Sequence, residues 1–408
     1  MEKIQLKDVL DVKRGASLSG EYYSTSGELI RLTLGNFNYP DCGWKENKSK
    51  EDIYFTGQVR KEFILQEGDI ITPLTEQVRG LLGNTATIPE SNKYIQSGDI
   101  GLIIPNEEKI DKRYSYYLIS STVVKKQLDA GSQQTKIRHT SPDSIKNCYA
   151  YILEREEQVK VACLLDSINK KIEINNSIND NLQQLSSIMY SYWFKQFQFP
   201  NENGLPYKTY GGKMKYSPEL KIDIPFTWEI KTLKDLLIEN SESVTIKPNI
   251  DTIDLSVMPS DSFSLNQINN SNSFTSNLFK MKEGDLLFGS IRPYLHKAGI
   301  APVNGYVAGT VHSYKVKNDY DYNLALLILT SKDLFNYAVK VSGGTKMPVV
   351  SSDNLLNFKF AYSSKIAKLL SEIDIKSIII NNVQENIKLQ KIRNYLLPLL
   401  MNAQISLK

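Results

Sequence analysis

Cysteine is scarce in this 408-residue chain: Cys42, Cys148 and Cys163 are odd in number, widely spaced and include no CxxC pair. That argues against a disulfide framework or a Cys-rich zinc site, and suits a reducing cytoplasm. Histidine is equally sparse, at His139, His296 and His312, which leaves little for a metal centre or an acid–base pair. No apolar run approaches the roughly 20 residues needed to span a bilayer, and the start MEKIQLKDVL is not a signal peptide. The chain has no GxxxxGK[ST] loop, no Asn/Asp-Pro-Pro-Tyr/Phe step and no convincing Gly-rich loop for a methyl donor. A PD…ExK pattern has to be forced from Asp41 and the adjoining ENK. A non-catalytic chain is expected, with no cofactor and no metal. Its net charge of +4 permits a nucleic-acid partner without demanding one.

What is present is a repeat. LLDSINKKIEINNSINDNL (164–182) returns as LLSEIDIKSIIINNVQENI (369–387) at a constant offset of 205, matching Leu165 to Leu370, Ile168 to Ile373, Asn176 to Asn381 and Tyr190 to Tyr395. Upstream the likeness persists while the offset grows. GSQQTKIRHTSPDSIKN (131–147) pairs with SGGTKMPVVSSDNLLN (342–357) at 210, and LQEGDII (65–71) with MKEGDLL (281–287) at 216. Shared landmarks at shifting intervals describe one architecture whose loops were rebuilt independently in each half.

At 408 residues the chain exceeds one ordinary core. The fold class is expected to be α+β, with two globular mixed α/β domains in pseudo-two-fold tandem joined by two long antiparallel coiled-coil helices. The expected boundaries are domain 1 at 1–153, the first helix at 154–198, a connector at 199–227, domain 2 at 228–362 and the second helix at 363–403. FILQEGDIITPL, DIGLIIP, DLLFGSI and HSYKVK read as strands, while DKRYSYYLISSTVVKKQL and YNLALLILTSKDLFNYAV read as helices. Apolar spacing of 3 and 4 through Leu165, Ile168, Ile172, Ile178 and Leu182 predicts a seam, and the Asn residues beside it offer a register device or a solvated face. The first helix spans roughly 60 Å at 1.5 Å per residue, and Pro398 falls where a helix interior would normally break. The connector, rich in Pro, Gly and Asn, reads as irregular.

The order of a variable domain, a Gly-x-x-x-x-Lys loop, SPDSIKN or SSDNLLN, an EREEQ-like helix start and a long helix with INN, all repeated, resembles the specificity subunit of type I restriction–modification enzymes. FGSIRPYLHKAGIAP (288–302) is similar to a recurring strand–loop phrase of its target-recognition domains, and the connector ending IPFTW is also similar. The first half departs from that phrase with ITPLTEQVRGLLGNTATIP. The resemblance implies a cytoplasmic, non-catalytic reader of double-stranded DNA, with one half-site per domain and a spacer set by the helices. Two methyltransferase subunits would dock on it, a nuclease–translocase subunit would join through the complex, and no membrane is involved. Two other readings stay open: a partner of a fused methyltransferase–endonuclease, and a coiled-coil adaptor for proteins.

Base edges are read by Arg, Lys, Asn and Gln, and phosphates are gripped by Arg, Lys, Ser, Thr and main-chain amides. The candidate contacts are therefore Gln133, Gln134, Thr135, Lys136 and Arg138 in one loop and Thr345 and Lys346 in its counterpart. Arg292 and Lys297 in SIRPYLHK, and Arg79 with Gln77 and Asn84 in EQVRGLLGN, complete the set.

Overall fold

The computed structural model describes residues 2–38, 42–47, 51–76, 80–131, 138–275, 277–344, 346–402 and 404–407. It divides into two compact units, residues 1–169 with 390–408, and residues 170–389. Both divisions fall inside the long helices and not in the connector. The reason is packing. Val161, Leu165, Leu400 and Met401 are buried in the core of the first unit, whereas Ile375, Ile379 and Val383 are buried in that of the second. No helix among the described residues is long and apolar enough to cross a membrane.

In the first unit a four-stranded antiparallel sheet runs in the order Leu10–Arg14, Ile100–Pro105, Ile70–Pro73, Ala86–Thr87. A second four-stranded sheet includes the parallel pair Leu29–Arg31 and Tyr94–Ile95. Two short helices follow, Lys112–Ile119 and Thr122–Gly131, in the stretch expected to be helical.

The second unit repeats the plan with Leu237–Glu239, Val311–Val316, Leu286–Gly289 and Ala298–Ile300, and a second sheet holding the parallel pair Asp251–Ile253 and Gly305–Ala308. Its helices are Tyr322–Leu329 and Lys332–Val341. One turn explains why EGD recurs. Asp285 N donates to Lys282 O and Asp285 Oδ2 accepts from Lys282 N, which needs Gly284 at φ +85°. Asp69, Gln66 and Gly68 at φ +82° make the same turn in the first unit, and only glycine takes that conformation cheaply.

The first long helix, Arg155–Tyr190, has 36 residues and ends in a π-turn at Ser191–Lys195. The second is split into Ser364–Ser371 and Ile375–Met401 instead of running on from Ser364. At the break the Asn323 amide donates to the freed Leu370 and Ile373 carbonyls, at 2.9 and 2.8 Å, while Asp374 Oδ1 accepts from Ser377 N to start the next helix. Pro398 lies inside the helix, which continues to Met401. The connector is not loose. It forms a hairpin of Met214–Ser217 with Ile222–Pro225, and its Phe199 stacks on Trp228, which is 2% exposed.

The buried seam differs from the expected one. Val161, Leu165, Ile168, Ile172, Asn175, Asn179 and Ser186 are buried, whereas Ile178 faces out. Within the second unit Asn175 Nδ2 donates to Asn386 Oδ1 at 3.0 Å, Asn386 Nδ2 to Asn176 Oδ1 at 2.9 Å, and Asn382 Nδ2 to Asn179 Oδ1 at 2.8 Å. Partners rise on one helix as they fall on the other, so the pair is antiparallel. Asn266 joins the ladder by donating to Asn176 at 3.1 Å, and Gln183 holds Asp261 O and Phe263 N, so the domain is bolted to the helices. Within the first unit Arg393, buried in the seam, donates to Asn169 Oδ1 at 3.1 Å.

Removing one member of a buried amide pair leaves its partners unsatisfied, at about 1–3 kcal/mol. Asn386→Ala should therefore lower the unfolding free energy by that amount, and Asn175→Ala combined with it should cost less than the two singles summed, read from denaturation of all four proteins. Beside the ladder, the Asn175 amide and then the Lys171 ammonium hold the Glu385 carboxyl below the usual carboxylate range. A carboxyl lowered in this way stabilises the fold above its unfolded value of about 4.3, and loses that contribution as pH falls through the lower folded value. Glu385→Gln should melt below the parent at neutral pH, and thermal scans should show the gap closing below about pH 4.

Candidate nucleic-acid interface

In the second unit the two candidate stretches meet. Ile291 bridges Val349, Arg292 N donates to Pro348 O at 2.8 Å, and Val350 N donates to Ser290 O at 3.0 Å. Val349 also exchanges both backbone hydrogen bonds with Gly343, at 2.9 Å each, closing the loop that carries Lys346. Arg292 and His296 both sit in the left-handed region, at φ 52° and 51°, on either side of the 3₁₀ turn Pro293–Leu295. Backbone of this kind costs of order 1 kcal/mol or more and persists only where its surroundings hold it. Here the hold is clear: His296 Nδ1 lies 2.9 Å from Asp261 Oδ1, and its ring stacks on Phe335 at 4.6 Å.

The result is an exposed rim bearing Arg292, Tyr294, Lys346 and Met347. Among the described residues, neither Arg292 nor Lys346 has a carboxylate within ion-pair distance, so a cation of each kind is presented beside exposed apolar side chains. Lys297 is placed otherwise. It is half-buried, and its ammonium donates to Leu255 O at 2.5 Å, which makes it a brace beneath the rim. Thr345 lies outside the described residues.

The first unit joins the corresponding stretches the same way. Thr75–Glu76 pairs antiparallel with Arg138–His139, with Arg138 opposite Glu76. Arg138 is committed to carboxylates: its Nη1 lies 3.1 Å from Glu76 Oε1 and 2.5 Å from Asp129 Oδ1, and only 15% of its side chain is exposed. Asn84, weighed as a contact, is fully buried and receives the Lys125 ammonium. Arg79, Gln77, Gln133, Gln134, Thr135 and Lys136 lie outside the described residues. Glu76 carried no sequence signal of importance, because an acid beside a proposed DNA loop reads as incidental.

No group of three or more metal-ligating side chains occurs among the described residues.

Residues 1–184 match the family model for the type I restriction modification DNA specificity domain. Two specificity subunits from Methanocaldococcus jannaschii are similar to this chain. That of the type I restriction enzyme MjaVIII is 26% identical over 189 residues, which is 45% of this chain and 43% of the relative. That of MjaIX is 28% identical over 145 residues, covering 35% of this chain and 30% of the relative. The chain thus spans less than half the length of these relatives. Among solved structures, a type I restriction-modification S subunit from M. genitalium superposes with a TM-score of 0.57 at 14% identity, covering 98% of this chain and 96% of that one. At that identity the likeness concerns the fold.

Proposed function

We propose that this chain, whose residues 1–184 match the model of the type I restriction modification DNA specificity domain, is the DNA-reading subunit of a type I restriction–modification complex and performs no catalysis itself. Each domain reads one half of a bipartite duplex site, and the helix pair sets the unread spacer. The observation that carries this reading is the duplicated rim. In each unit the same two rebuilt stretches are tied together by strand pairing, while the EGD turn and the helices behind them stay constant. A protein that reads two unlike half-sites needs variable edges on an invariant frame.

Arg292 and Lys346 are the contacts of the second domain. A guanidinium suits a guanine edge, and an ammonium on a Gly-started loop suits phosphate. Methyltransferase subunits dock along the first helix, through which a nuclease–translocase subunit joins. Supporting this, Ile174, Ile178, Leu185, Ile188 and Tyr192 form an exposed stripe at heptad-like spacing, on a face turned away from the buried seam. Two linked readers bind together only where both half-sites fall in reach, so spacer length becomes part of the specificity.

Seven residues inserted at facing positions of both long helices add about 10 Å, and should lengthen the methylated spacer by about three base pairs at roughly 3.4 Å each. Mapping of methylated sites in host DNA should find both half-sites unchanged. Lys346→Ala, in the assembled complex, should weaken duplex binding nearly uniformly across sequences. Its salt slope should fall by about 1, as read from affinities over a salt series.

A further inference from the structure

The two rims share backbone pairing but differ in one side chain. At the offsets of 216 and 210 that align the halves, Thr75 corresponds to Ile291 and His139 to Val349, so Glu76 corresponds to Arg292. The pairing agrees: Thr75 faces His139 just as Ile291 faces Val349. Where the second domain presents an exposed cation, the first buries a carboxylate that is 2% exposed.

Both oxygens of that carboxylate are in use. Oε2 accepts three successive amides, those of Gly80 at 3.0 Å, Leu81 at 2.9 Å and Leu82 at 3.1 Å. Successive N–H groups converge in this way only in a concave backbone nest, and Gly80 supplies it at φ +103°. Oε1 takes the Arg138 guanidinium, whose Nη2 also donates to Asp129 O at 2.6 Å. One carboxylate therefore ties the Gly80–Leu82 turn to Arg138, which Asp129 also holds. A buried ion pair with both carboxylate oxygens engaged favours one geometry over its neighbours.

We infer that Glu76 is a positioning residue for the first half-site, fixing the Thr75–Glu76 strand and the Gly80–Leu82 turn to the Arg138–His139 strand through Arg138 and the Gly80–Leu82 amides. It holds the place that a direct contact, Arg292, occupies in the second domain. Specificity in the first domain is thus set by loop placement, and in the second partly by a side chain at the same register position. This rests on the DNA-reading function proposed above.

The test uses the full complex in a host, with its methylated sites mapped for the parent, Glu76→Gln, Arg138→Lys and Arg292→Ala. Glu76→Gln keeps the size and one acceptor while losing the ion pair, and Arg138→Lys keeps charge but not the fork, so at least one of the two should fold. The expected result is relaxation of one half-site by Glu76→Gln and Arg138→Lys, with methylation at sites mismatched in that half rising about tenfold, equivalent to 1.4 kcal/mol. The other half-site stays intact, and it is the one that Arg292→Ala relaxes. A merely structural role would lower methylation of all sites evenly, and that outcome overturns the inference. So does unchanged discrimination in both variants, or relaxation of the same half-site by Glu76→Gln and Arg292→Ala. If the parent complex itself shows no bipartite sequence preference, the DNA-reading function falls instead.

Discussion

A ladder of buried asparagine amides fixes how the long helices pair, and the rest of the design depends on it. Leucine seams are tolerant: slide one helix by a heptad and apolar side chains still meet apolar side chains. Amides are not tolerant. Slipping by seven residues would set Asn175 against Ile379 and Asn179 against Ile375, both now buried elsewhere in the core. Each stranded amide would cost about 1–3 kcal/mol. The chain gives up stability for this. Asn175 Oδ1 and Asn179 Nδ2 find no partner among the described residues, a loss that leucines would not incur. A seam that fixes register benefits more from a single pairing than from maximal affinity.

Behind each rim the frame is held by parts that tolerate little change. The EGD turn needs its glycine, one four-stranded sheet of each unit has the same strand order, and Gln183, Asn266 and Gln384 tie the second domain to the helices by side-chain hydrogen bonds. Gln158 does the same in the first unit, bonding Asp111 N at 2.7 Å and Leu153 O at 2.8 Å. The loops above this frame are free to diverge because little of the frame depends on their side chains. Glu76 and Arg292 are two solutions at one backbone position, one inward and satisfied, the other outward and available.

Much of this was legible in the sequence. The repeat, the strands DIGLIIP and HSYKVK, the paired short helices and the antiparallel helix pairing follow from pattern alone. The seam followed only in part, for a physical reason. The first helix carries two heptad stripes, one through Ile168, Ile172, Asn175 and Asn179 and one through Ile174, Ile178, Leu185 and Ile188, and the second is the more apolar. Hydrophobicity placed Leu165, Ile168 and Ile172 correctly but carried the expected seam across to Ile178 of the outward stripe, where the buried positions are Asn175 and Asn179. The helix break at Asp374 was not expected, because the repeat ran across it without interruption. Asn323, distant in sequence, satisfies the carbonyls that the break exposes. The Pro- and Gly-rich connector read as irregular because its order comes from Trp228 stacking rather than from local propensity. At the rims, residue type identified cations but not their partners. Arg138 and Lys297 differ from Arg292 and Lys346 only in what the fold sets beside them, a carboxylate pair and a carbonyl in the first two cases.

The outward stripe bears on how the chain exists. An unpartnered run of isoleucine, leucine and tyrosine along several helical turns is a liability for a lone protein, since contiguous exposed apolar surface promotes association. Retaining it beside a buried seam of lower hydrophobicity makes sense if the stripe is the stronger contact and is filled by another subunit. In that case the polar seam need only specify register, because the partner adds stability to the helix pair by mass action. Under the proposed docking, register and affinity fall on two faces of one helix, with the asparagines on the buried one.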